Sequence, residues 1–86
     1  MKEKEFFEIL GVVKSSPTRV LTLKALGESQ KTPTEIDHET NVRSTQISKA
    51  LKELKGLGLV VCINEEARMG RYYKCTPSGL EILKHI

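Results

Sequence analysis

Apolar residues recur along this chain with two different periods, and the switch between them divides it into elements. From about Lys2 to Lys14, Phe6, Ile9, Leu10 and Val13 fall on one stripe at helical spacing, with Phe7 and Val12 off it. A second helical stripe, Val20, Leu23 and Leu26, runs from Pro17 to Leu26 and stops at Gly27. A short third helix is expected from Pro33 to about Thr40, ended by Asn41, which tolerates the left-handed conformation. The fourth, about Arg43 to Leu57, places Ile47, Leu51, Leu54 and Leu57 on one side and ends at Gly56 or Gly58. Then the period shortens. Leu59-Val60-Val61-Cys62-Ile63 is apolar and β-branched, as in a strand. Glu65 to Gly70 is a polar loop of hairpin size, and Arg71-Tyr72-Tyr73-Lys74-Cys75 alternates as the returning strand. A last helix spans Pro77 to Ile86, and a brief strand near Gln30-Lys31 could pair with the hairpin.

Prolines punctuate this pattern. Ser16-Pro17, Thr32-Pro33 and Thr76-Pro77 each put a hydroxyl where it can accept a bond from an orphan amide, followed by a residue that sacrifices no helical hydrogen bond. All three pairs therefore mark helix starts. Thr32 is the strongest, because Glu35 completes a capping box.

The spacing between the third and fourth helices carries the function. Only two or three residues around Asn41-Val42 join them, which is the tight connection of a helix-turn-helix. With Ile47 at the centre of the buried side, a rotation of about 100° per residue puts Thr45, Ser48, Lys49 and Lys52 opposite, flanked by Gln46 and Glu53. This face has no large apolar residue. Its side chains are of the kinds that bond base edges or phosphates. A solvated lysine-bearing face is the plain alternative for any one helix, but the tight turn before it and the basic hairpin after it argue against that. Arg68 and Arg71 bracket Met69-Gly70 at the hairpin tip, where an arginine can enter a narrow minor groove or clamp phosphates. Glu65 and Glu66 share that loop and are expected on its outer side.

Charge sharpens the picture. The net charge is +3, and the basic excess sits wholly in the second half: residues 41–86 carry eight Lys or Arg against four Asp or Glu, residues 1–40 six against seven. That is the footprint expected of a nucleic-acid partner. At 86 residues the chain is read as one domain, 1–86, mainly α with a small β-hairpin. With 38% apolar and 29% charged residues and no long apolar run, it is read as a cytoplasmic protein without a membrane partner.

The run Thr34-Glu35-Ile36, then Asn41-Val42-Arg43-Ser44-Thr45-Gln46-Ile47-Ser48-Lys49-Ala50-Leu51-Lys52-Glu53-Leu54, then Gly58-Leu59-Val60, resembles winged helix-turn-helix transcription regulators of the MarR/ArsR type. Arg71 to Gly79 is similar to the Y-x-L-T-x-x-G exit from the wing in that group. The resemblance covers about Pro17 to Ile86. It implies about five helices with a two- or three-stranded sheet, and double-stranded DNA as partner. Arg43, Ser44, Thr45, Gln46, Ser48, Lys49 and Lys52 would serve the major groove or its phosphates, with Arg68 and Arg71 acting from the wing. Three departures stand out. Arg43 occupies a position where the group commonly has a Ser N-cap, so Ser44 caps the helix instead or Arg43 contacts phosphate. Cys75 replaces a usual Leu, and the metal-sensing Cys-x-Cys pattern of some members is absent.

Cys62 and Cys75 are read as core thiols, and no cofactor or metal is expected. Phe7 and Val12, with Leu80, Ile82, Leu83 and Ile86, give the terminal helices 1–14 and 77–86 apolar area for a homodimer that would present two recognition helices. Two other functions compete. A winged-helix module could bind protein in a larger assembly. An enzyme is disfavoured: His38 and His85 lie far apart, with no carboxylate or cysteine at ligand or triad spacing.

Overall fold

The hydroxyl–proline pairs start three helices as expected. Ser16 Oγ accepts from Arg19 N at 3.4 Å, Thr32 Oγ1 from Glu35 N at 3.2 Å and Thr76 Oγ1 from Gly79 N at 3.1 Å. Glu35 Oε1 accepts from Thr32 N at 2.9 Å and closes the capping box. The computed structural model describes residues 1–86. Its elements are α1 (Glu3–Lys14), α2 (Pro17–Leu26), β1 (Gln30–Lys31), α3 (Pro33–Thr40), α4 (Ser44–Gly56), β2 (Val60–Cys62), β3 (Tyr73–Cys75) and α5 (Pro77–Leu83). Asn41 ends α3 with φ at 60°, the left-handed conformation anticipated for it.

The sheet is antiparallel, in the order β1-β3-β2. Gln30 pairs with Lys74 and Lys31 with Tyr73 on one side, and Val60 with Cys75 and Cys62 with Tyr73 on the other. Both hairpin strands are shorter than the sequence pattern predicts. Their flanks still bond, Ile63 N to Tyr72 O and Thr76 N to Leu59 O, each at 2.9 Å. Beyond Ile63 the pairing gives way to a loop ordered by side chains.

One core joins the elements: Val13, Leu23, Leu26, Ile36, Ile47, Leu51, Leu54, Leu59, Val60, Cys75 and Ile82. Leu57, expected inside, is half-buried because it lies past the last turn of α4, and Ala50 takes a buried position earlier in the helix. Thr22 is fully buried and its hydroxyl has no partner. At the entry to α5, a Cβ on Gly79 would stand 2.0 Å from the Leu59 carbonyl oxygen, so only glycine fits. Thr76 Oγ1 donates to Gly58 O at 2.6 Å across the same contact. The Thr-x-x-Gly exit from the hairpin is therefore a backbone-to-backbone contact between α5 and the start of β2.

The terminal helices divide their apolar area unequally. Ile82 belongs to the core, and Leu80, Leu83 and Ile86 pack against it. That covers much of the surface expected to stay open on α5, which also ends at Leu83 rather than Ile86. On α1, Phe6, Ile9 and Leu10 pack inward while Phe7 and Val12 remain 59% and 42% exposed. No helix is long and apolar enough to cross a membrane.

Candidate nucleic-acid interface

Helix α4 is seated by burial. Ile47, Ala50, Leu51 and Leu54 line its lower side, spaced three and four residues apart, and each is at most 2% exposed. The opposite side is thereby fixed in direction. Thr45, Gln46, Ser48, Lys49 and Lys52 are all exposed, as is Arg43 just before the helix, and Ser44 is half-buried. None of Arg43, Lys49, Lys52 or Arg68 is engaged in an ion pair within the chain.

The start of α4 corrects one expectation. Arg43 stands at the N-cap with no side-chain bond to the helix, and Ser44 is the first helical residue rather than the cap. The acceptor comes from the preceding helix instead: Asp37 Oδ2 takes the bond from Ser44 N at 3.0 Å. Asp37 thus satisfies an orphan amide and fixes α3 to α4 across the turn. A carboxylate also suits the positive end of a helix. Residues seven apart on different helices leave no local capping pattern, so this role is invisible to a search for Ser, Thr, Asp or Asn directly before the helix.

Two clefts flank the exposed ridge of α4. Toward α2, a cleft of about 250 Å³ is lined by Ser16, Thr18, Arg19, Gln46, Lys49, Ala50 and Glu53. Toward the hairpin loop, one of about 430 Å³ brings Ser44 and Ser48 together with Thr32 and Thr34 of the α3 start and with Arg68 and Arg71. Of the residues singled out from sequence, the structure brings Ser44 and Ser48 of α4 into one groove with Arg68 and Arg71 of the wing, and places Gln46 and Lys49 in the cleft on the other side. It adds the hydroxyls of Ser16, Thr18, Thr32 and Thr34, whose only sequence signal was their place at helix starts.

Two carboxylates, one on α4 and one on the wing loop, are paired with cations of other elements. Glu53 receives a two-pronged bond from Arg19, Nε to Oε1 at 3.2 Å and Nη2 to Oε2 at 3.0 Å, which holds its carboxyl below the usual range. Glu65 of the wing loop, itself exposed, pairs with Lys55 of α4, and its carboxyl is likewise held low.

Side chains order the loop itself. Asn64 Oδ1 accepts from Tyr72 N at 2.7 Å, Asn64 Nδ2 donates to Gly70 O at 3.1 Å, and Arg71 Nε donates to Ala67 O at 2.7 Å. Gly70 takes φ at 67°, a conformation that suits glycine at the tip. Cys75 is buried, which pushes its thiol up to about 11, while Cys62 is half-buried with Sγ 3.7 Å from Asn64 Oδ1. Both cysteines are free thiols. No group of three or more His, Cys, Asp or Glu side chains is placed to hold a metal ion.

No family model matches this chain, and no curated protein matches it. Solved structures do. A double mutant of Lactococcus lactis ZitR superposes with a TM-score of 0.70 at 20% identity, over 81% of this chain. The same mutant in its apo form gives 0.71 at 18% identity, over 99% of this chain. The chain spans 49% of the first structure's length and 70% of the second's. At such identity the likeness is one of fold. Five helices, a three-stranded sheet and the tight α3–α4 turn make that fold a winged helix-turn-helix.

Proposed function

We propose that this chain is a sequence-specific regulator of transcription that binds double-stranded DNA, with α4 in the major groove and the wing on the backbone or in the minor groove. The observation that carries the reading is the exposed, unpaired ridge of Thr45, Lys49 and Lys52, seated on a fully buried underside and flanked by hydroxyl- and cation-lined clefts on both sides. A helix entering a major groove has a sugar–phosphate strand on either side of it. Cations on the ridge and hydroxyls along the clefts match that arrangement. On this reading Thr45, Gln46 and Ser48 contact base edges, Arg43, Lys49 and Lys52 bond phosphate, and Arg68 and Arg71 act from the wing.

The same reading includes a homodimer. The open Phe7 and Val12 of α1 supply apolar area for a two-fold contact, which would set two copies of α4 against half-sites about one DNA turn apart. It has no catalytic step.

The test is Lys49→Ala/Lys52→Ala. Binding to labelled duplex should weaken, and the slope of log affinity against log salt should flatten by about 0.9 for each lost phosphate contact, while the helical circular-dichroism signal is kept. Binding that ignores salt, or survives loss of both lysines unchanged, defeats this reading and leaves the protein-interaction module.

A further inference from the structure

We propose that Arg19 keeps Lys49 free for DNA by holding the neighbouring Glu53 carboxylate, an inference that rests on the DNA-binding reading above. Glu53 follows Lys49 by one turn of α4, a spacing at which opposite charges on a helix pair with each other. Both side chains line the same cleft. Yet Lys49 takes part in no ion pair, because both oxygens of Glu53 are engaged by the guanidinium fork of Arg19.

That fork is itself anchored. Arg19 Nη1 donates to the Val12 carbonyl at 2.8 Å and to Ser15 Oγ at 3.2 Å, so the end of α1 aims the guanidinium at α4. A planar fork meets both carboxylate oxygens with two parallel bonds, a geometry an ammonium lacks. Without Arg19, the other cation whose charge acts on Glu53 is Lys49. Two losses then coincide. Lys49 is drawn along its own helix away from a phosphate, and an uncompensated negative charge stands in the cleft beside the DNA strand. Arg19 is thus a positioning residue that acts through Glu53, and DNA contact by Arg19 itself is not required.

The experiment compares wild type, Arg19→Ala, Glu53→Gln and the double variant by fluorescence anisotropy with a labelled mixed-sequence DNA duplex over a range of salt. Arg19→Ala should bind on the order of tenfold more weakly, with a salt slope shallower by about 0.9, the signature of one lost phosphate contact. Glu53→Gln should bind at least as tightly as wild type. The double variant should return to within about twofold of Glu53→Gln and recover the slope, because no carboxylate remains to capture Lys49. A double variant as weak as Arg19→Ala overturns the proposal and makes Arg19 a direct or purely structural contributor. Absence of salt-dependent binding in wild type overturns the DNA reading beneath it. Should Arg19→Ala not fold, Arg19→Lys keeps the charge, loses the fork and carries the same comparison against Glu53→Gln.

Discussion

Helix α4 and the wing both present exposed cations, Lys49 and Lys52 on one and Arg68 and Arg71 on the other, but different forces hold them in place. Helix α4 rests on Ile47, Ala50, Leu51 and Leu54, which are buried among α2, α3 and β2. The loop from Ile63 to Tyr72 contains no buried residue at all. Its shape comes from the Asn64 amide, the Arg71–Ala67 bond and the Lys55–Glu65 pair, all at or near the surface. Burial fixes direction firmly, because tilting α4 opens voids in a close-packed core. Exposed hydrogen bonds exchange with water at little net cost, so the wing can yield. Such a division suits DNA binding of the proposed kind. A helix that contacts base edges needs a fixed register, while a loop that follows the backbone gains from adjusting to it.

Deleting part of the underside of α4 should be the most damaging change. Leu51→Ala removes a fully buried side chain from the middle of the seat and should cost about 2–5 kcal/mol of stability, read from urea denaturation. For a chain of this size that approaches the whole margin. A loss below about 1 kcal/mol would mean that the surroundings close over the gap and that burial does not set the direction of α4.

Why the ridge of α4 is legible in the sequence follows from the same contrast. Helical rotation converts position into direction, so one buried residue, Ile47, locates the exposed side, and the exposed Thr45, Lys49 and Lys52 agree with that construction. Caps and glycine stops are legible because their signals are local. What the sequence hides are bonds between elements. Asp37 caps α4 from seven residues away, and Arg19 meets Glu53 across 34. Neither spacing has a period to betray it. Asn64 escapes notice for a related reason: its role depends on where the Tyr72 amide and the Gly70 carbonyl arrive after the loop has turned. Leu57 misleads in the other direction, since a periodicity count does not know that the helix has already ended.

Asn64→Ala should separate the two regions more cleanly than any core change. It removes the two Asn64 bonds to the loop backbone at Tyr72 and Gly70, yet Asn64 is not one of the core residues. Global stability should fall by about 1 kcal/mol or less. Amide exchange should accelerate from Ile63 to Tyr72 and stay unchanged in α4, and DNA affinity should drop several-fold through the misplaced Arg68 and Arg71. Equal acceleration in α4 would show that wing and helix open together, and the contrast between a rigid helix and a yielding wing would fail.

Acid should act on the two regions through the same chemistry and with the smallest effect. Lys55 holds the Glu65 carboxyl below its ordinary range, and Arg19 does the same for Glu53. A carboxylate whose folded pKa is depressed favours the folded state fully above its unfolded value, and that contribution fades as pH falls through the folded one. Stability should therefore be level through neutral pH and decline only on the acid side of the usual carboxylate range. Both pairs are partly open to solvent, so the decline should be shallow and screened by added salt. Its distribution is the informative part. Protonating Glu65 frees the wing from α4 and should loosen the loop amides. Protonating Glu53 leaves the buried seat of α4 untouched and should leave that helix protected. Hydrogen exchange measured at neutral and acid pH checks this, and loss of protection in α4 ahead of the loop would contradict it.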